Sequence, residues 1–114
     1  MLEKDRANLL AILDSCDKIS RFTADLFDAD AFFADQESFD AVLMNFILIG
    51  EAVSKLSDTL KTSNSHVPWP KIKGFRNMAA HDYFGVDAEE TWQIIQNHLP
   101  VLVKDIKHIL ETDH

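Results

Sequence analysis

A chain of 114 residues is long enough to bury one core, and its 46% apolar share supplies that core without a disulfide framework. A formal charge of −8 repels phosphate at long range and argues against a broad nucleic-acid coat, while leaving room for a local site. Three glycines and three prolines are too little turn chemistry for a many-stranded fold, and the lone Cys16 has no intramolecular disulfide partner.

No basic segment followed by an apolar stretch opens the chain, and its most apolar run, AVLMNFILIG, is interrupted by Asn45 and too short to span a bilayer. The expectation is a cytoplasmic protein with no membrane association. Cys16, at helical spacing among apolar residues, reads as a buried thiol in a reducing compartment.

The first predicted helix runs from about Glu3 to Leu26, with Leu9, Ile12, Leu13, Cys16, Ile19 and Leu26 on one stripe. The Asp-rich FDADAFFADQES that follows reads as a connection carrying two or three aromatic anchors. A second helix, Phe39 to Leu60, places Val42, Phe46, Ile49, Val53, Leu56 and Leu60 on a heptad-like seam. Leu43, Ile47 and Gly50 add a second stripe, as in a central helix or one that also meets a partner. Asn45 reads as a buried polar group with a local partner, or as one that fixes register at a dimer seam.

After the polar KTSNSHVP, Pro68 and Pro70 suit the first turn of a third helix, where a missing N–H costs nothing. That helix carries Ile72, Phe75 and Ala79 inward, extends to about Asp82 or Tyr83, and finds a stop in Gly85. Asp87 followed by Glu90 resembles a capping box for the last helical stretch, Ala88 to about Leu110. Pro100 inside that stretch predicts a kink or a split. The fold class is therefore all-α: an up-and-down bundle of four long helices, with a fifth if the proline divides the last, in a single domain over residues 1–114.

The chemistry concentrates in FRNMAAHDYF, residues 75–84. At about 100° per residue, Arg76 and Tyr83 return to nearly one face, and Asn77 and His81 share another. Arg76 and His81 diverge by about 140° on a regular helix. The helix could unwind near His81, Arg76 could reach round, or two copies could meet across a two-fold axis. Lys71, Lys73 and Arg76 form the only dense basic cluster without an intervening acid.

Taken singly, each of these residues has an ordinary structural reading. Arg76 and His81 suit a solvated helix end, and Tyr83 a packed aromatic with a wet hydroxyl. Glu51 could steady Arg76, but reads first as a solvated helix carboxylate. Trp69 and Trp92 read as core or interface aromatics, and His66, His98, His108 and His114 as surface residues. A carboxylate-bridged di-metal bundle needs Glu-x-x-His pairs on two helices, and this chain has a single one, Glu111 to His114.

As an ordered set, the same residues resemble the HepT-like toxin branch of the HEPN superfamily. The resemblance takes in the Arg76, Asn77, His81 and Tyr83 signature, with IGEAVSKL before it, VPWPKIKGFRN leading in, HDYFGVD after it and the proline of the last helix. It covers most of the chain. It implies a homodimeric HEPN-like bundle acting as a metal-independent endoribonuclease, without a cofactor, and as the toxin of a type VII-like toxin–antitoxin pair. The implied partners are RNA and a cognate minimal nucleotidyltransferase antitoxin. Arg76 and His81 are then catalytic, Asn77 supports them, and Tyr83 is the residue that the antitoxin AMPylates.

The chemistry of these side chains suits that role. Attack of a 2′-hydroxyl on the adjacent phosphorus leaves a 2′,3′-cyclic phosphate, and it needs a proton acceptor, a proton donor and positive charge on the phosphorane. Histidine serves either proton role, arginine stabilises the anion, and Lys71 and Lys73 are candidates for RNA binding. The alternative is a non-catalytic HEPN module that binds nucleotide or docks a nucleotidyltransferase.

Overall fold

The computed structural model describes residues 1–81 and 87–112, with Ala80 and His81 described by their backbone alone. Every regular element among the described residues is helical. In chain order they are α1 (Glu3–Thr23), α2 (Ala29–Ala34), α3 (Gln36–Lys55), α4 (Asp58–Ser63), α5 (Trp69–His81), α6 (Ala88–Gln93), a π-helical turn (Ile94–His98) and α7 (Leu99–Thr112).

Helix α1 buries the stripe its periodicity prescribes, with Leu9, Ile12, Cys16 and Ile19 at 1% exposure or less; Leu13 is half-buried at its edge, and the helix ends at Thr23, short of the half-buried Leu26. Burial pushes the Cys16 thiol from its ordinary 9.0 up to about 12, so it stays protonated and inert near neutral pH. Helix α3 lies between α1 on one side and α5 on the other, while α7 packs on α1, and α2 on α6 and α3. It is the central element that its two apolar stripes require.

Three local readings change. The Asp-rich connection contains α2, capped by Asp28 accepting from Ala31 N at 2.9 Å. Asp35 caps α3 in turn, accepting from Ser38 N at 3.2 Å. Of the aromatic anchors only Phe32 is buried, against Phe39 (centroids 5.2 Å apart) and Trp92 (5.8 Å). Phe27 is 94% exposed and Phe33 58%.

The second predicted helix also ends early. Leu56 turns extended (φ −68°, ψ 145°), and Ser57 starts α4 by accepting from Leu60 N at 3.2 Å. The break is held from far along the chain: buried Asp5 accepts from Ser57 N at 2.8 Å and from Ser57 Oγ at 2.6 Å. Leu56 and Leu60 stay buried across it. The hydrophobic period thus continues through a backbone that is no longer one helix.

The disruption foreseen at Pro100 is a π turn just before it. Proline lacks the N–H that would reach back one turn, and its ring crowds the carbonyl there; widening the preceding turn relieves both. Asp87 caps α6, accepting from Glu89 N at 3.0 Å and Glu90 N at 3.2 Å. The stop foreseen at Gly85 lies outside the described residues. Asn45 is buried, and its Nδ2 donates to Ala41 O at 2.8 Å while Oδ1 finds no donor among the described residues. No described helix is long and apolar enough to cross a membrane.

Candidate functional site

The site is built where α5 crosses α3. Trp69 anchors the start of α5: it is 5% exposed, and its Nε1 donates to Asn64 O at 3.1 Å. Pro70 sits in the first turn, where its missing N–H leaves no bond unmade. Ile72, Phe75 and Ala79 are buried on one face, and the Phe75 ring lies 5.4 Å from Phe46 of α3. These contacts fix both the height and the rotation of α5.

Gly50 sets how closely the two helices meet. A Cβ at this position would stand 2.5 Å from the Cβ of Arg76, 3.0 Å from the Lys73 carbonyl and 3.1 Å from Arg76 N. Any side chain there would push α5 away. A glycine inside a helix costs about 1 kcal/mol relative to alanine, and here the gain is close approach of two backbones.

The next residue on α3, Glu51, forms an ion pair through Oε1 with Arg76 Nε. The two side chains are 41% and 48% exposed, so the pair is a surface clamp and contributes little to stability. Its effect is directional. A guanidinium carries five N–H donors in a planar fork; Glu51 engages the one at Nε, and the terminal nitrogens have no partner among the described residues. Sequence reasoning ranked Glu51 as a solvated carboxylate, and the structure corrects that ranking. The signal was present in the sequence, as an otherwise costly mid-helix glycine directly before an acid.

Helix α5 stays helical through His81, so unwinding ahead of the histidine does not occur. The backbone positions of Arg76 and His81 therefore lie about 140° apart around the helix axis. Asn77 is exposed, one turn before His81 on the same stripe. The His81 side chain and all of Tyr83 lie outside the described residues.

The basic cluster is divided by the fold. Lys73 lines an open depression with Lys61 and Val53, on the α3 side that also carries Arg76. Lys71 lines a separate, mostly apolar cavity of about 90 Å³ against α7, with Phe75, His98 and Asp105. Two residues apart in sequence, the two lysines line different surfaces. Trp69 and Trp92 are buried, as expected of core aromatics. His66, His98 and His108 are exposed, and His114 lies outside the described residues. Among the described residues no group of three or more His, Cys, Asp or Glu is arranged to hold a metal ion.

The pattern that defines the family described as "HepT-like: Ribonuclease HepT-like" matches residues 12–109. A protein of Methanocaldococcus jannaschii named "Putative RNase MJ0127" is 35% identical over 112 residues, covering 97% of this chain and 92% of that protein. From the same organism, "Gamma-glutamylcyclotransferase and putative RNase MJ0434" is 33% identical over 100 residues, which is 88% of this chain. The chain spans only 45% of that longer relative. "Probable ribonuclease HepT" of Thermococcus cleftensis is 29% identical over 91 residues, covering 80% of this chain and 82% of that protein. No solved structure matches the chain.

Proposed function

Because this chain belongs to the ribonuclease HepT-like family, we propose that it is an endoribonuclease that cuts RNA without a metal ion. The observation that carries this reading is Arg76, clamped through Nε by Glu51 at the α3–α5 crossing, with no partner for its terminal guanidinium nitrogens among the described residues, on the helix that bears Asn77 and His81. In the proposed reaction the 2′-oxygen bonds to phosphorus as its proton passes to a base. The P–O5′ bond breaks as an acid protonates the leaving oxygen, giving a 2′,3′-cyclic phosphate and a free 5′-hydroxyl. His81 performs proton transfer, Asn77 orients it, and Arg76 stabilises the phosphorane charge.

Arg76 and His81 diverge on one helix, so the site is completed by a second copy of the chain. Met44 and Leu48 of α3, 57% and 48% exposed, lie within about 60° of Glu51 around the helix and offer a face for that pairing. Tyr83, two residues past His81, is the proposed point of control. A nucleotidyltransferase would join the phenol oxygen to the α-phosphorus of ATP and release pyrophosphate. The attached AMP would set a negative charge and an adenine where RNA must lie. The protein is then the toxin of a toxin–antitoxin pair.

One experiment tests the reading. Purified protein with RNA and a chelator is expected to yield cyclic-phosphate ends, and Arg76→Ala or His81→Ala to lower the rate about 100-fold or more. Incubation with a nucleotidyltransferase and ATP should add AMP mass to the wild type but not to Tyr83→Phe. Normal cleavage by His81→Ala would refute the assignment.

A further inference from the structure

Beside the Arg76 clamp lies an open depression of about 490 Å³, walled by the end of α3, the α4 turn and the start of α5. Its charged residues are Lys61 and Lys73; Thr62 and Ser65 add hydroxyls, and Val53, Val67, Trp69 and Pro70 form the apolar floor and wall. In a chain of net charge −8, a concavity whose ionic groups, among the described residues, are two lysines stands out.

The two lysines are presented differently from ordinary surface residues. Lys61 is only 25% exposed, its stem held along the protein, and its nearest carboxylate, the fully exposed Asp58, stands off at 4.0 Å. Lys73 pairs with no carboxylate among the described residues. Lys73 also precedes Arg76 by three positions, so the two are neighbours on the helix surface, about 60° apart around the axis. The cavity on the other side of α5 differs in sign balance, because Lys71 and His98 share it with Asp105.

We propose that this depression is a subsite for a backbone phosphate of the single-stranded RNA flanking the scissile linkage, held by Lys61 and Lys73. The proposal rests on the ribonuclease reading above and extends it from the reacting phosphate to the path of the strand. Arg76 meets the scissile phosphate; Lys73 and then Lys61 continue the positive track towards α4. Neither lysine touches a base, so the subsite adds affinity for any strand without sequence preference.

The test measures binding of a non-cleavable 2′-O-methyl oligouridine of about ten nucleotides, long enough to cover such a track. Lys61→Gln and Lys73→Gln are compared with wild type and with Lys107→Gln, an equal charge change on α7. Each subsite variant is expected to weaken binding about fivefold. Each should also make the salt dependence of log K shallower by about 0.7. Lys107→Gln should do neither, and its cleavage rate should match that of the wild type. Wild-type affinity and salt slope in Lys61→Gln and Lys73→Gln, with RNA still bound and cut, would overturn the subsite and leave the ribonuclease reading standing. Failure of the wild type to bind or cut RNA at all would remove both.

Discussion

Arg76 illustrates how one residue acquires a role from its neighbours. On an isolated helix it would be a solvated cation with many rotamers. At the α3–α5 crossing, Glu51 engages Nε and so restricts the orientation of the fork. Because both side chains are about half exposed, removing the carboxylate should change stability by less than about 1 kcal/mol, measured by urea unfolding. Cleavage should respond more. Glu51→Ala is expected to lower kcat about tenfold while KM moves little, since the substrate phosphate still meets a cation but a mobile one. Glu51→Asp or Glu51→Gln should recover part of the loss. Equal kcat in wild type and Glu51→Ala would show that the clamp has no part in positioning.

Between elements, the decisive feature is a missing Cβ. Gly50 lets the backbone of α5 rest on α3, which puts Arg76 beside Glu51 instead of a few ångströms above it. Gly50→Ala would gain about 1 kcal/mol of helix propensity. Against that, the new methyl meets the root of the Arg76 side chain and the Lys73 carbonyl, neither of which can swing aside. Overpacking of this kind costs about 1–3 kcal/mol, so the net expectation is destabilisation of up to about 2 kcal/mol in urea titrations, with a fall in cleavage as Arg76 is displaced. A stabilised and fully active Gly50→Ala protein would contradict the account. The link from Asp5 to Ser57 works at the same scale, tying the start of α1 to the break between α3 and α4.

For the whole molecule, the central position of α3 has a consequence for assembly. One side of α3 meets α1 and another meets α5, yet Met44 and Leu48 remain exposed between them. The proposed two-fold pairing over this stripe would cover it and bring two Arg76 residues towards one cleft. Met44→Glu with Leu48→Glu is expected to convert a dimer into a monomer in sedimentation analysis, with helical circular dichroism retained and RNA cleavage lost in step. A wild-type protein that sediments as a monomer at assay concentration while cutting RNA would remove the second copy from the mechanism.

Much of this protein is written in short-range pattern. The buried stripe of α1, the central character of α3, the proline-led start of α5 and the Asp87 cap all follow from residue spacing and local bonding, because helices are governed by neighbours three and four positions apart. The order of Arg76, Asn77, His81 and Tyr83 carried the family resemblance for the same reason. Tertiary structure alone decided matters that depend on residues far apart in the chain. Asp5 reaches 52 positions to Ser57 and ends a helix whose hydrophobic period runs on unbroken. Gly50 and Glu51 prepare a seat for an arginine 25 positions later. Lys71 and Lys73, two residues apart, part to opposite sides of α5 because 200° of helical turn separates them and different helices pack on each side. Spacing fixes the face that a side chain leaves from; only packing fixes what it finds there.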